Sequence, residues 1–263
     1  MADEGHLDDL KLIAEAAAEA GRIALGFWKR DPEVFWKGNS PVSEADFAAD
    51  DHLRRMLLAA RPTYGWISEE TAARPAGEGE ERFFVVDPID GTRAFLRGDP
   101  TWCVSVAVIA GGRPLAGVLD APALGEVFAA ERDGPATRNG EPLRIEAPPE
   151  AGTLRLSMPD GLRRRLEPRH RDSIRFAASV PSLAYRLAMV ADGRLDGTLV
   201  GAFANDWDIA AADLVLERAG GSLAGLDGAR HLYKPVPKRH GVLVAAGTPE
   251  TLSRLIGWGR DAA

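Results

Sequence analysis

Cysteine is nearly absent from this sequence of 263 residues, which contains Cys103 alone. A single cysteine excludes a disulfide within the chain and a zinc site built from several thiolates. Cys103 opens the apolar run 103–106, so we expect a buried thiol and assign it no catalytic role. The five histidines fall in no spacing typical of metal ligands, and the sequence therefore gives no signal of a histidine-based metal site.

Long hydrophobic runs and an excess of positive charge are missing as well. No apolar run has the length that crossing a bilayer requires, and the N-terminus carries the acidic residues Asp3 and Glu4 where a secretory signal would be basic and then apolar. We therefore expect a cytoplasmic protein. The formal net charge is −7, which argues against a nucleic-acid polymer or a membrane as partner. Bound metal ions would reverse this charge locally and admit an anionic substrate.

Apolar residues, by contrast, are plentiful enough for a large core, since 45% of the chain is hydrophobic. Pro148 and Pro149 mark a boundary between an N-terminal α+β subdomain with an antiparallel sheet, residues 1–148, and a C-terminal α/β subdomain, residues 149–263. Periodicity predicts helices at 6–29, 43–60, 182–191, 208–219 and 249–257. Apolar runs predict strands at 66–68, 83–86, 102–109, 115–119, 127–130, 154–158, 174–177, 195–200 and 242–246, with a hairpin turn at Asn139-Gly140.

The segment from Asp87 to Thr92, with the sequence Asp-Pro-Ile-Asp-Gly-Thr, follows the apolar run 83–86. It places two carboxylates three residues apart at the end of a predicted strand, directly before Gly91 and Thr92. Such carboxylates can hold a divalent cation, and free backbone N–H groups at a helix start can hold an anion beside it. The segment therefore indicates phosphate chemistry.

Two further motifs complete the pattern. Ser68-Glu69-Glu70 ends another predicted strand, and Asp208 lies in the segment 205–212 at a predicted helix start, where a helix cap is the simpler interpretation. Together with the segment from Asp87 to Thr92, and in this order, the motifs resemble the signatures of the inositol monophosphatase superfamily over nearly the whole chain. The resemblance implies a layered α-β-α-β-α fold of the type shared with the fructose-bisphosphatases, and a magnesium-dependent phosphomonoesterase.

The resemblance also implies the ligands of the metal. Residues that match the family's metal-binding positions are the carboxylates Glu69, Asp87, Asp90 and Asp208 and the backbone carbonyl of Ile89. An oxygen-only set suits Mg²⁺, and two or three ions in each site are implied. One ion acidifies the attacking water and another stabilises the leaving oxygen, so that no phospho-enzyme is needed. Surface acids or helix caps are the alternative for each carboxylate taken singly.

Substrate contacts and proton transfer follow from the same resemblance. Asp90, Gly91, Thr92 and Asp208 match substrate-binding positions, with the backbone of Gly91 and Thr92 holding the phosphate. Thr92 and Asp46 match the family's proton relay to the attacking water, in which Glu69 also takes part. However, Asp46 also completes a capping box that begins at Ser43, and a purely structural role is its alternative.

The choice of substrate depends on a few positions. Arg93 follows the central motif as a basic residue does in the bacterial 3′(2′),5′-bisphosphate nucleotidases, and Arg186 stands where those enzymes often carry lysine. Gly201 replaces a sugar-binding glutamate of the inositol enzymes, whereas the segment 191–197 is more similar to the inositol branch. We favour hydrolysis of 3′-phosphoadenosine 5′-phosphate to AMP. Inositol-1-monophosphatase is the alternative, followed by histidinol-phosphate phosphatase and by a non-catalytic binding protein of this fold.

Other features stay open at this point. Lithium inhibition and a homodimer are implied by the resemblance alone. Glu70 is either an additional carboxylate of the site or a surface residue, and Lys37 either lies near the site or is solvated. The arginines of the segment 163–171 are expected on a solvated face. The segment 238–240 either lines the substrate cleft or, as we favour, is an exposed loop.

Overall fold

Residues 5–146 and 153–262, the part of the chain that this computed structural model describes, form eight helices and fourteen strands. The helices are α1 (Gly5–Phe27), α2 (Glu44–Ala60), α3 (Thr92–Leu96), α4 (Asp160–Arg165), α5 (Pro168–Arg171), α6 (Leu183–Ala191), α7 (Asp206–Ala219) and α8 (Pro249–Ala262). The strands are β1 (Val34–Lys37), β2 (Ser40–Ser43), β3 (Gly65–Ser68), β4 (Phe83–Asp90), β5 (Cys103–Ala110), β6 (Arg113–Ala121), β7 (Glu126–Glu131), β8 (Thr137–Arg138), β9 (Glu141–Pro142), β10 (Leu154–Ser157), β11 (Ile174–Phe176), β12 (Gly197–Val200), β13 (Ser222–Gly225) and β14 (Leu243–Ala246).

The strands form two large sheets and one hairpin. Strands β3 to β9 lie side by side in chain order, and every neighbouring pair is antiparallel except the parallel pair β3 and β4. The second sheet has the order β11-β10-β12-β14-β13, with its first three strands parallel and the other pairs antiparallel. Strands β1 and β2 form a separate antiparallel hairpin.

Helices and sheets alternate in five layers. Helices α1 and α2 pack on the outer face of the seven-stranded sheet, and α6 and α7 lie between the two sheets. Helix α8 covers the far face of the five-stranded sheet. This α-β-α-β-α order is the predicted fold.

The layered order explains the composition of the strands. Strand β4 is buried along its whole length and β5 nearly so, because helices cover both faces of their sheet. A strand buried on both faces needs a continuous apolar run instead of an alternating one. Asp87 and Asp90 interrupt that run at the end of β4, where buried acidic groups require a specific reason.

Most predicted elements are confirmed, with some differences at their ends. Asn139 and Gly140 both have positive φ, 51° and 84°, as a tight hairpin turn requires. Helix α7 begins two residues before Asp208, and α8 continues past Gly257 because Trp258 packs into the outer core. Strand β13 was not predicted from the sequence, since glycines flank its short apolar core and hide the pattern.

The proposed division of the chain into two subdomains stays a prediction, because the boundary at 148–149 lies outside the described residues. The helices were also checked against the length and composition of a membrane span. None of the helices in the described ranges has the length and apolar character of a membrane span.

Gly117 allows α7 to approach β6 closely. A Cβ at Gly117 would lie 3.0 Å from both the Cα and the carbonyl oxygen of Ala211. Because such overpacking costs about 1–3 kcal/mol, we expect Gly117→Ala to lower the free energy of unfolding by that amount in urea titrations. Gly257→Ala is the control, since its Cβ would meet nothing within 4 Å, and it should be neutral or stabilising by up to about 1 kcal/mol. Equal losses in both variants would contradict this account of the packing.

Candidate active site

The predicted metal ligands meet in one cleft at the ends of β3 and β4. The two strands are parallel, with Ser68 paired to Val86, so the residues that follow them emerge at the same edge of the sheet. The start of α7 reaches this edge from the second half of the chain. The cleft has a volume of about 160 Å³ and is lined by Ser40, Pro41, Glu69, Asp87, Ile89, Asp90, Gly91, Thr92, Arg93, Pro181 and Asp208.

Three carboxylates converge in this cleft. Glu69, Asp87 and Asp208 each offer an oxygen, and these oxygens all lie within 4.8 Å of one another. Asp87 Oδ1 accepts a hydrogen bond of 3.0 Å from the backbone N–H of Ile89, which fixes its side chain at the end of the strand. The grouping fits a cation that prefers oxygen ligands.

Asp208 is not the N-cap of its helix, contrary to the simpler interpretation of the sequence. Asn205 is the N-cap of α7, and Asp208 is the third residue of the helix in a capping box. Asp208 Oδ2 accepts a 2.6 Å hydrogen bond from the backbone N–H of Asn205. The capping interaction therefore orients Asp208 and leaves its other oxygen available to the cleft.

Asp90 lines the same cleft but is tied to α6. Its Oδ2 accepts a 2.7 Å hydrogen bond from the backbone N–H of Ala184 and another from the hydroxyl of Ser182. Arg186 lies on the same helix, is only 6% exposed and donates a 2.9 Å hydrogen bond to the carbonyl of Val180. Arg186 is not among the described residues that line the cleft, so its predicted contact with a substrate phosphate stays a prediction without structural support.

Burial and mutual repulsion dominate the electrostatics of the cleft. Burial, reinforced by repulsion from Asp208, raises the pKa of Glu69 to about 8. Burial, reinforced by Asp90, raises the pKa of Asp208 to about 7, and burial with repulsion from Glu69 raises the pKa of Asp87 well above its ordinary range. A divalent cation would remove this repulsion, and the oxygen-only ligand set matches Mg²⁺ or Mn²⁺ better than softer ions.

Asp46 makes the contacts that both of its predicted roles require, the capping box and the contact with Thr92. Its Oδ2 accepts hydrogen bonds from the backbone N–H of Ser43 at 2.8 Å and from the Ser43 hydroxyl at 2.6 Å, within the capping box of α2. Its Oδ1 accepts a 3.0 Å hydrogen bond from the hydroxyl of Thr92, which lines the cleft. The two roles use different oxygens and are therefore compatible.

Gly91 is required by its surroundings at the start of α3. Its φ is 96°, a left-handed conformation, and an added Cβ would lie 3.0 Å from the Cβ of Ser182. Both restrictions favour glycine where the backbone lines the cleft. Contact between phosphate and the backbone of Gly91 and Thr92 stays a prediction.

Lys37 and Glu70 form an ion pair beside the carboxylates. Lys37 Nζ also donates a 3.2 Å hydrogen bond to the backbone carbonyl of Glu69. The side chain of Glu70 is only 3% exposed, so it is not a solvated surface acid. Lys37 thus links the β1–β2 hairpin to the end of β3, and a direct contact with substrate is not needed to explain it.

Of two predictions about residues outside the cleft, one is confirmed and the other is wrong. The arginines of the segment 163–171 are exposed on α4 and α5, as predicted. His240 is buried at 4% exposure and contacts Asp206, so the prediction of an exposed loop at 238–240 is wrong at His240. Hydrogen bonds with α7 hold this part of the loop, and no local pattern in the sequence signals them.

Asp50 and Ser182 are further buried polar residues that the sequence did not single out. Asp50 lies one helical turn after Asp46 and accepts a hydrogen bond from the hydroxyl of Ser68, next to Glu69. The four-residue spacing of the two aspartates on an otherwise apolar helix face was the available signal. Ser182 has a clearer one, because a serine directly before a helix is a common N-cap.

Comparisons with known proteins agree with this geometry. Residues 7–257 match the model of the inositol monophosphatase family. The chain is 35% identical over 223 residues to a histidinol-phosphatase from Chlorobaculum parvum, which covers 81% of this chain and 84% of that protein. It is 35% identical over 239 residues to an inositol-1-monophosphatase from Mesorhizobium japonicum, covering 85% and 87%. The solved structure of extragenic suppressor protein suhB from Bartonella henselae is similar with a TM-score of 0.82 and 27% identity, covering 96% and 99%.

Asp46→Asn and Ser43→Ala separate the two roles of Asp46. The amide of Asp46→Asn cannot take a proton from Thr92, so we expect phosphomonoester hydrolysis to fall about 10²–10⁴-fold in steady-state assays. Ser43→Ala removes the cap hydroxyl but keeps the contact between Asp46 and Thr92. It should cost about 1 kcal/mol of stability and retain most of the turnover. Near wild-type turnover in Asp46→Asn, with a lower melting temperature, would mean that Asp46 is only a cap.

The raised pKa values predict that the metal-free protein loses stability as the pH rises. In the folded state Glu69 keeps its proton up to a pKa of about 8, whereas its ordinary pKa is 4.5. The folded state therefore binds more protons than the unfolded chain between these values, and stability falls across that window. We expect Asp208→Asn to flatten this dependence in melting curves without metal, because it removes one of the repelling charges. Parallel curves for the variant and the wild type would contradict the repulsion.

Proposed function

This chain belongs to the inositol monophosphatase family, and we propose that it is a magnesium-dependent phosphomonoesterase acting on a small phosphorylated metabolite. The family and the names of its relatives indicate a phosphoric monoester hydrolase. The observation that carries the proposal is the convergence of Glu69, Asp87 and Asp208 within 4.8 Å, beside Gly91 and Thr92 in one cleft. In a protein that bound no metal, these buried and mutually repelling carboxylates would only destabilise the folded state.

In this proposal Glu69, Asp87, Asp90 and Asp208, with the backbone carbonyl of Ile89, hold the metal. When bound, magnesium supplies an acidified water and a positive charge for the phosphate oxygens. The protein fixes the ligands in advance, since separate backbone N–H groups hold Asp87, Asp90 and Asp208. The ligand oxygens therefore need little rearrangement when the cation binds.

Thr92 and Asp46 handle the proton of the attacking water. The Thr92 hydroxyl donates to Asp46 Oδ1 at 3.0 Å, and its oxygen can accept a hydrogen bond from water in the cleft. As the water attacks, its proton passes to Thr92 Oγ1 while the Thr92 proton passes to Asp46 Oδ1. Burial raises the pKa of Asp46, which makes this carboxylate a better proton acceptor.

For the substrate, we favour the 3′(2′),5′-bisphosphate nucleotidase hypothesis, which Arg93 and Gly201 support. Arg93 lines the cleft and is positioned by a hydrogen bond to the backbone carbonyl of Asn39, so its charge is available to a second phosphate. Gly201 offers no carboxylate to sugar hydroxyls. Arg186 no longer supports the hypothesis, because it is buried behind Asp90 and donates to the protein backbone.

The second candidate is a monophosphate, histidinol phosphate or inositol 1-phosphate, because similar proteins carry those names. One structural feature separates the aromatic substrates, the adenosine bisphosphate and histidinol phosphate, from inositol 1-phosphate. Trp36 is 65% exposed and lies directly opposite Pro41 in the β1–β2 hairpin, and Pro41 lines the cleft. Directly paired residues share a face of a hairpin, so Trp36 offers an aromatic surface on the cleft side. The adenine of the adenosine bisphosphate or the imidazole of histidinol phosphate suits this surface better than the ring of inositol does.

Lithium inhibition and a homodimeric state accompany the proposal only through membership of the family. The cytoplasmic location was expected from the lack of long apolar runs in the sequence, and it stays a prediction. None of the contacts among the described residues supports these properties.

A phosphate-release panel, with and without Mg²⁺, tests the substrate. Its members are 3′-phosphoadenosine 5′-phosphate, histidinol phosphate, inositol 1-phosphate and fructose 1,6-bisphosphate. We expect Arg93→Ala to lower kcat/KM for the adenosine bisphosphate about 10–100-fold, the loss of a charged hydrogen bond worth about 1.5–3 kcal/mol. It should affect the monophosphates much less. Arg97→Ala is the matched control, because Arg97 lies four residues further along at the end of α3 and does not line the cleft.

Two results of the panel would contradict the proposals at different levels. A preference for histidinol phosphate or inositol 1-phosphate, with Arg93→Ala equally slow on all substrates, would replace the nucleotidase hypothesis by the monophosphate one. No metal-dependent release from any member would contradict the enzymatic function itself.

A further inference from the structure

A second cluster of ligand-type side chains lies outside the cleft. Asp206, His231 and His240 bring one ligand atom each to within 4.8 Å of the others. His240 Nε2 lies 2.8 Å from Asp206 Oδ1 and 3.2 Å from His231 Nε2. Asp206 and His240 are buried, and His231 is partly buried. The sequence alone does not indicate this grouping, because His240 lies 34 positions after Asp206.

We propose that Asp206, His231 and His240 bind one late first-row divalent cation, for which Zn²⁺ is the natural probe. Two imidazoles and one carboxylate are ligands that zinc prefers, at bond lengths of about 2.0–2.2 Å. At such lengths the ligand atoms of a tetrahedral site lie about 3.3 Å apart. The separations of 2.8 and 3.2 Å are close to that value. His231 Nε2 also lies 2.5 Å from His240 Nδ1, so the ring of His231 must turn away from Nδ1 to admit the ion.

The surroundings hold the three ligands in place. The backbone N–H of Lys238 donates a 3.1 Å hydrogen bond to Asp206 Oδ2, which leaves Oδ1 directed at His240. The carbonyl of His231 accepts a 2.8 Å hydrogen bond from Arg113. Backbone contacts that orient a ligand in this way are typical of metal sites.

The loop that carries His240 is also bonded to the segment before α7. The backbone N–H of Phe203 donates to the carbonyl of His240 at 2.7 Å, and the N–H of His240 donates to the carbonyl of Ala204 at 2.8 Å. An ion at this site would join residues 231–240 to the start of α7. Asp206 lies only two residues before Asp208, so the ion would brace the backbone that presents Asp208 to the cleft.

The two metal sites differ in chemistry. The cleft offers oxygen atoms alone, which suits magnesium, whereas the second site offers two imidazole nitrogens, which favour zinc and its neighbours. A zinc titration in excess Mg²⁺ therefore separates them. The proposal does not depend on which phosphate the enzyme hydrolyses, because its readout is metal binding.

Calorimetric titration of the whole protein with Zn²⁺ in excess Mg²⁺ tests the proposal. We expect one tight equivalent in the wild type and a loss of affinity of more than about 100-fold in His231→Gln, since even outer-shell substitutions cost about 10–100-fold. Glutamine keeps a side-chain hydrogen bond to His240 possible. Asp87→Asn, which alters the cleft, should keep the tight equivalent. With Co²⁺ in place of zinc, the wild type should show visible absorption of a four-coordinate ion that His231→Gln lacks.

His170→Gln is the matched control. His170 belongs to a group with Glu167 and Asp261 that has similar spacing but lies partly exposed on another face. This variant should keep the tight equivalent.

Melting without metal checks that His231→Gln is folded, and His240→Gln provides a second variant if it is not. The absence of tight zinc binding to the wild type would overturn the proposal, and so would its loss in His170→Gln or in Asp87→Asn. In that case the cluster is a hydrogen-bonded chain from His231 through His240 to Asp206.

Discussion

Mutual repulsion among buried carboxylates is the constraint on which the rest of this structure depends. Glu69, Asp87 and Asp208 lie within 4.8 Å of one another, and burial with repulsion raises the pKa of each. Such a group is unfavourable in a folded protein unless it is protonated or binds a cation. Asp87 belongs to this group and follows a fully buried apolar run in β4, and this placement connects the fold to the proposed metal-dependent chemistry.

The five-layer fold brings the parts of this group together from distant segments. Parallel pairing of β3 and β4 places Glu69 beside Asp87, and α7 carries Asp208 to them from the second half of the chain. Helix α7 lies between the sheets, and Gly117 lets it approach β6 closely. Packing in the central layer therefore sets the position of a predicted metal ligand, and a change far from the cleft can alter its geometry.

Local patterns in the sequence were sufficient for most helices and strands, because apolar runs and helical periodicity depend on neighbours in the chain. The layered order and the metal ligands were implied by the resemblance of the three motifs to the inositol monophosphatase superfamily. Features that depend on distant contacts were missed or misplaced. The burial of Arg186 behind Asp90 and the grouping of Asp206 with His240 belong to this class. Asp46 is intermediate, since the sequence indicated a cap and the resemblance implied a proton relay, but neither indicated that separate oxygens make the two sets of contacts.

Proton release on binding of Mg²⁺ tests the central claim most directly. If repulsion keeps the cleft partly protonated at neutral pH, the cation must displace those protons. Calorimetry at pH of about 7 in buffers with different heats of ionisation measures the number released. The account predicts about one proton or more for each protein molecule, and a smaller number for Asp208→Asn. Tight binding of Mg²⁺ with no proton released would contradict it.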